Sequence, residues 1–128
     1  MAIVTRRERP LSPHLMIYRR QINSMMSIFH RLTGLGLAVT GMLVVWWFLA
    51  AASSPAYFGF VDGILTSWIG TLVMVVSLAA LWYHFFTGIR HLVWDAGAGL
   101  EKSRIRSSGI VVLVAAGVMT LLTLLIAF

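Results

Sequence analysis

Three long stretches without a charged side chain dominate the chain, and short polar segments separate them. The uncharged stretches are Leu32–Val61, Gly63–Ile89 and Ser107–Phe128. Each is longer than the roughly 20 residues that a helix needs to cross about 30 Å of hydrocarbon. The pattern therefore predicts an all-α, polytopic membrane protein with three transmembrane helices.

Local signals place the ends of these helices within a single domain that covers residues 1–128. Residues 1–23 combine prolines with mixed polarity, which predicts a cytoplasmic segment rather than a cleaved signal peptide. We expect the transmembrane helices at about 24–52, 64–93 and 108–127. Ser53-Ser54-Pro55 would end the first helix, and Gly97 and Gly99 would follow the second.

The distribution of charge predicts the orientation of the chain in the membrane. Hydrophobic residues make up 59% of the sequence and charged residues only 11%, which excludes an ordinary water-soluble surface. The net charge of +6 would suggest nucleic acid as a partner of a soluble domain, but all ten basic residues lie before the first uncharged stretch or around the second connection. The loop near residues 53–63 carries only Asp62. The positive-inside rule therefore predicts a multi-pass membrane protein with a cytoplasmic amino terminus, a carboxyl terminus on the opposite, periplasmic side and no nucleic-acid partner.

The second stretch places ionisable side chains on one helical stripe that contains His84, Gly88, His91 and Asp95. At about 100° per residue these positions fall within roughly 60° of each other. An ionisable group inside the membrane is costly, so His84 is a candidate functional residue. A neutral imidazole at this depth suits a metal, and a glycine one turn away leaves room for a flat group such as haem. The alternative is a histidine that is hydrogen-bonded to a neighbouring helix.

The first helix presents a second polar group near the cytoplasmic end. Ser27, His30, Arg31 and Gly34 share one broad face, at the depth expected for His91 and Asp95. A hydroxyl and a guanidinium there can donate hydrogen bonds to a quinone carbonyl or to a haem propionate. The alternative is that Arg31 reaches lipid phosphates and that Ser27 caps the helix.

Two further observations limit how a haem would be held. The chain has no cysteine, which excludes thiolate-ligated iron-sulfur clusters and covalent c-type haem within it. We expect no other histidine at the depth of His84, so the second axial ligand would come from another subunit. His14 is interpreted as a surface residue and the methionines as packing residues, while Gly34, Ala38 and Gly41 form a small-residue seam for helix contact.

Three blocks of sequence together resemble one known family. They are Arg9-Pro10-Leu11-Ser12-Pro13-His14-Leu15 with Ile17-Tyr18, Ser27–Gly34 as S-x-x-H-R-x-T-G, and His84–His91 as H-x-x-x-G-x-R-H followed by Asp95. In order and spacing the chain resembles the cytochrome b556 membrane subunits of succinate dehydrogenase, the respiratory complex II of the tricarboxylic acid cycle.

The resemblance implies a membrane anchor with a defined set of partners and cofactors. A second small anchor subunit would supply the other ligand of haem b, and a flavoprotein and an iron-sulfur protein would dock on the cytoplasmic face, with ubiquinone as the substrate. His84 would be the axial ligand of the haem iron. The other roles implied are quinone binding for Ser27 and Arg31, contact with the haem propionates for Arg31, His30 and His91, and a candidate proton relay for Asp95.

Two alternatives remain open from the sequence. The chain could anchor a quinol:fumarate reductase, because the residues do not decide the direction of the reaction. It could instead be a non-redox membrane scaffold or a small transporter, in which His84 and Arg31 make interhelical contacts only. In each of these interpretations the chain itself contains no complete enzyme active site.

Overall fold

The computed structural model describes residues 21–128, which form four helices and no strand. The helices are α1 (Ile22–Ser53), α2 (Pro55–Leu65), α3 (Trp68–Asp95) and α4 (Lys102–Ala127). By length and composition, α1, α3 and α4 are each sufficient to cross a membrane. The all-α class with three membrane-spanning candidates is therefore confirmed. His14 and the rest of the first sequence block lie outside the described residues.

The connection between the first two spans contains the short helix α2, which the sequence pattern did not predict. Ser54 begins it, because its hydroxyl oxygen accepts a hydrogen bond from the backbone N–H of Tyr57 at 3.2 Å and Pro55 occupies the first helical position. Ser67 caps α3 in the same way through the N–H of Gly70, also at 3.2 Å. The second span consequently starts at Trp68, and not near residue 64 as expected.

Gly70 allows α3 to fold back closely over the end of α2. A Cβ atom at this position would collide with the carbonyl oxygens of Leu65 and Ile64. Backbone atoms in helices have little freedom to move away, so a side chain here would displace one of the two helices. The tight turn between α2 and α3 therefore depends on a glycine.

The connection between α3 and α4 is shorter than expected because the helices extend beyond the uncharged stretches. Helix α4 begins at Lys102, six residues before the predicted start at Ser108. Charged side chains mark the edge of the hydrocarbon but do not end a helix, and no glycine or proline separates these two positions. Helix α3 ends at Asp95, after which Gly97 and Gly99 adopt left-handed conformations with φ of 79° and 72°.

Helix α3 packs against both α1 and α4. Hydroxyl groups link the helices within the span: Thr40 and Ser77 lie 2.8 Å apart, and the indole N–H of Trp82 donates to Thr123 at 3.0 Å. Eight of the described residues are buried, so most apolar side chains of the long helices remain on the outer surface. Such a surface requires lipid or other membrane subunits around it.

An aromatic cluster joins α2 to the carboxyl-terminal end of α1. The indole N–H of Trp46 donates to the hydroxyl of Tyr57 at 2.8 Å, and that of Trp47 donates to the carboxylate of Asp62 at 3.0 Å. The rings of Trp47 and Phe58 lie 5.4 Å apart. Amphipathic rings of this kind concentrate at the edge of the hydrocarbon.

Candidate functional site

Three histidine rings stack against one another between α1 and α3. The ring of His30 lies on that of His84, with centroids 4.0 Å apart and planes within 10°. Its centroid lies 5.1 Å from that of His91, with planes within 22°. The expectation that no other histidine reaches the depth of His84 is therefore wrong, because the crossing of the two helices brings His30 level with it.

Hydrogen bonds define which nitrogen of His84 is free. Its Nδ1 lies 3.1 Å from the backbone carbonyl oxygen of His30 and 3.2 Å from the hydroxyl of Thr33. A carbonyl oxygen can only accept, so Nδ1 carries the proton and donates it. The Nε2 atom of His84 then holds the lone pair. Metal-binding histidines commonly show this arrangement, in which the second nitrogen donates to a backbone carbonyl.

The stacked arrangement prevents His30 and His84 from binding one iron atom together. The lone pair of an imidazole nitrogen lies in the plane of the ring, whereas these rings meet face to face. Two axial ligands must point at each other from opposite sides of a macrocycle, and rings 4.0 Å apart leave no space for one. Across the described residues, no group of three His, Cys, Asp or Glu side chains could hold a metal ion.

Gly34 provides the space that the ring of His84 occupies. A Cβ atom at Gly34 would lie 2.9 Å from Cε1 of His84, which is closer than real Cβ contacts allow. Gly41, two turns further along the same seam, is not in such a contact, since a Cβ atom there would meet nothing within 4 Å. The small-residue seam of α1 therefore packs against a histidine at Gly34 and borders open space at Gly41.

Replacing Gly34 by Ala is expected to destabilise the contact between α1 and α3 by about 1–3 kcal/mol, because the added methyl group overpacks it. Thermal unfolding of the full-length chain in detergent would show this as a lower midpoint. Gly36→Ala is the matched control on the same helix, since a Cβ atom there meets nothing within 4 Å. Equal midpoints for the two variants would contradict the assigned contact.

Ser27 and Arg31 lie one turn apart on α1, beside His30. Ser27 is half-buried and Arg31 is exposed. At 1.5 Å per residue, Arg31 lies about 14 Å from the beginning of α1. No hydrogen bond or ion pair joins either side chain to another group within residues 21–128. Both polar groups are thus available to a ligand or to another subunit.

Arg90 is a buried cation that the sequence analysis counted only among the basic residues around the second connection. Its side chain is 6% exposed. The guanidinium donates to the hydroxyl of Ser108 at 2.9 Å and to the carbonyl of Ile105 at 2.7 Å, and it lies 4.1 Å from the ring centre of Trp94. A longer contact of 3.4 Å reaches Asn23. Arg90 therefore joins α1, α3 and α4, and the signal in the sequence was an arginine four residues before a tryptophan.

We expect Arg90→Ala to lower the free energy of unfolding by about 2 kcal/mol, because it leaves buried acceptors unsatisfied and removes packing. Denaturant unfolding of the full-length chain in detergent would measure this loss. Arg104→Ala is the control, since Arg104 is exposed and pairs only with Glu101 at 3.4 Å in the described structure. A loss at Arg90 no larger than at Arg104 would remove its role as a link between helices.

The two remaining candidates on α3 have different surroundings. His91 donates from Nδ1 to the carbonyl of Thr87 at 2.7 Å, an acceptor one turn earlier on its own helix. Asp95 is exposed at the last position of α3 and forms no ion pair with any residue of 21–128. The structure therefore brings His30, His84 and His91 together and leaves Asp95 at the rim.

Comparisons with known proteins agree with the sequence blocks. Residues 5–124 match the family described as succinate dehydrogenase/fumarate reductase transmembrane subunit. The chain is 41% identical to the succinate dehydrogenase cytochrome b556 subunit of Paracoccus denitrificans, over all of this chain and 98% of that protein. It is 37% identical to the cytochrome b560 subunit of Marchantia polymorpha, over 91% of this chain and 89% of the other. The cytochrome b556 subunit of Rickettsia felis is 34% identical over 90% of each chain.

Proposed function

The chain belongs to the succinate dehydrogenase/fumarate reductase transmembrane subunit family, and from this we propose that it anchors a succinate:ubiquinone oxidoreductase in the bacterial inner membrane, binds haem b and forms part of the quinone site. Flavoprotein and iron-sulfur subunits would dock on its cytoplasmic face. The observation that carries the haem assignment is the free Nε2 of His84, which results from donation by Nδ1 to the carbonyl of His30.

The surroundings of His84 fit a haem. Its tautomer is determined by a backbone acceptor, as expected of a metal ligand. One turn further along α3, a Cβ atom at Gly88 would meet nothing within 4 Å, which leaves open space on the same helix. When bound, haem b supplies one-electron redox chemistry. His84 would hold it through Nε2.

The second axial ligand is proposed to come from a second small membrane-anchor subunit. Support comes from the stacking of His30 on His84, which places a histidine at the right depth but in the wrong orientation. The extensive exposed apolar surface of α1 and α3 supports a further membrane subunit in contact with these two helices. The haem would then be shared between two chains.

His30, His91 and Arg31 are proposed to face the carboxylates of the haem. The Nδ1 atom of His30 is buried without a hydrogen-bond partner in the described structure. His91 uses only its Nδ1 atom, which leaves the other ring nitrogen available. Donors close to a propionate form charge-assisted hydrogen bonds, and the exposed guanidinium of Arg31 adds a cation.

Ser27 and Arg31 are proposed to bind the quinone. Reduction of ubiquinone to ubiquinol takes two electrons and two protons, and the electrons would come from succinate through the iron-sulfur subunit. The Ser27 hydroxyl and the Arg31 guanidinium would donate hydrogen bonds to a carbonyl oxygen of the quinone while negative charge develops on it. A cation acts more strongly where water is excluded, so this role requires a partner to cover the exposed Arg31. Asp95, at the cytoplasmic rim, would relay protons from solvent.

The proposal is tested on the complex purified in detergent with its partner subunits. A dithionite-reduced minus oxidised visible spectrum should show a b-type band, and succinate should reduce a ubiquinone analogue. A complex with verified subunits and no such band would remove the haem assignment. Preferential oxidation of a low-potential quinol by fumarate would instead favour the anchor of a quinol:fumarate reductase.

A further inference from the structure

We propose that Thr33 is a positioning residue for His84: together with the carbonyl of His30, its hydroxyl holds the imidazole in the tautomer and orientation that direct Nε2 towards the iron. This inference rests on the proposed haem function and extends it by one residue. Thr33 lies on the same turn of α1 as His30 and Gly34, facing α3.

Three polar atoms form a closed triangle beside His84. The Thr33 hydroxyl donates to the carbonyl oxygen of His30 at 2.9 Å. The same hydroxyl oxygen lies 3.2 Å from Nδ1 of His84, and the carbonyl oxygen lies 3.1 Å from it. Since the hydroxyl hydrogen is directed to the carbonyl, the oxygen presents a lone pair to the Nδ1 proton. The histidine thus shares one proton between two acceptors.

Two acceptors restrict the ring more than one does. With a single carbonyl as acceptor, the imidazole could still rotate about its Cβ–Cγ bond within the angular range that one hydrogen bond tolerates. Thr33 adds a second point at the same edge, the ring of His30 covers one face at 4.0 Å, and Gly34 leaves only enough room for Cε1. His30, Thr33 and Gly34, within about one turn of α1, therefore provide the contacts that position the imidazole of His84.

The hydrogen bond also has an electronic consequence for a metal. An acceptor at the N–H of a ligating imidazole increases the donor strength of the opposite nitrogen and stabilises the more oxidised metal. Loss of the Thr33 hydroxyl should therefore raise the midpoint potential of the haem and weaken haem binding by about tenfold, within the range for such outer partners. The loss of orientation should broaden the electron paramagnetic resonance signal of the oxidised haem.

The test compares Thr33→Val with Thr40→Val in the purified complex. Thr40 lies seven residues further along the same helix, donates to the carbonyl of Gly36 at 3.1 Å, and contacts Ser77 of α3 at 2.8 Å. It therefore controls for the loss of an interhelical hydroxyl without contact to His84. The midpoint potential, the resonance line width and the haem content are measured for each, and Thr33→Ser restores the hydroxyl.

We expect Thr33→Val to shift the potential upward and broaden the resonance, while Thr40→Val and Thr33→Ser retain the wild-type values. Unchanged values in Thr33→Val, or equal shifts in both valine variants, would overturn the role of Thr33. Failure of the proposed function looks different, because then the wild-type complex shows no haem, or a His84→Ala complex keeps its haem spectrum.

Discussion

A complex carrying His84→Ala is expected to lose its haem, with a fall of more than tenfold in the haem content per complex. The reason is local, since the variant removes the Nε2 donor of an imidazole whose tautomer is determined by the carbonyl of His30 and the hydroxyl of Thr33. Each ligand atom contributes to the binding free energy of the metal, so its loss lowers the affinity for the haem. The reduced minus oxidised spectrum and the haem content of the assembled complex give the measurement.

Ser77→Ala is the matched control for this experiment. Ser77 lies seven residues earlier on the same helix, and its hydroxyl contacts Thr40 of α1 at 2.8 Å instead of the histidine stack. We expect it to keep the band. Added imidazole should restore part of the band in His84→Ala, because the substitution leaves a space of the right shape. A His84→Ala complex with the wild-type spectrum would contradict the ligand assignment, and an imidazole-rescued complex would exclude misfolding.

The membrane-spanning pattern could be predicted because it depends on composition over long windows. Uncharged stretches such as Gly63–Ile89 identify a span without any knowledge of packing. Helix α2 was missed because its residues continue the apolar character of the first stretch. Ser54 and Pro55 separate it from α1, and the cap at Ser67 separates it from α3. Caps depend on single hydrogen bonds, which an average over many residues hides.

The candidate site could be predicted one helix at a time. Periodicity placed His84 and His91 on one stripe of α3, and His30 and Arg31 on one turn of α1. The stacking of His30 on His84 could not be predicted, because it depends on the register at which two helices cross. The role of Arg90 as a link between helices could not be predicted for the same reason, since its partner Ser108 lies on α4.

Arg31→Gln is expected to lower kcat/KM for quinone reduction by about two to three orders of magnitude, as for other single donors that stabilise developing negative charge. Oxidation of succinate with a dye that accepts electrons from the partner subunits should remain unchanged, because that reaction does not use the quinone site.

Ser27→Ala should lower kcat/KM for quinone reduction by about tenfold, which corresponds to the loss of one hydrogen bond. Asp95→Asn should alter the pH dependence of quinone reduction if the carboxylate relays protons, and an unchanged profile would remove that role.

The competing interpretation, in which Arg31 only contacts lipid phosphates, makes a different prediction. Arg106→Gln is the control for general loss of positive charge, since Arg106 is exposed near the beginning of α4. A lipid anchor would tolerate Arg31→Lys fully, because lysine also extends its charge to the interface. A quinone site would not, because the planar fork of arginine positions its donors in a way that an ammonium group cannot. Wild-type quinone reduction in Arg31→Lys, together with equal activity in the two glutamine variants, would assign Arg31 to the lipid surface.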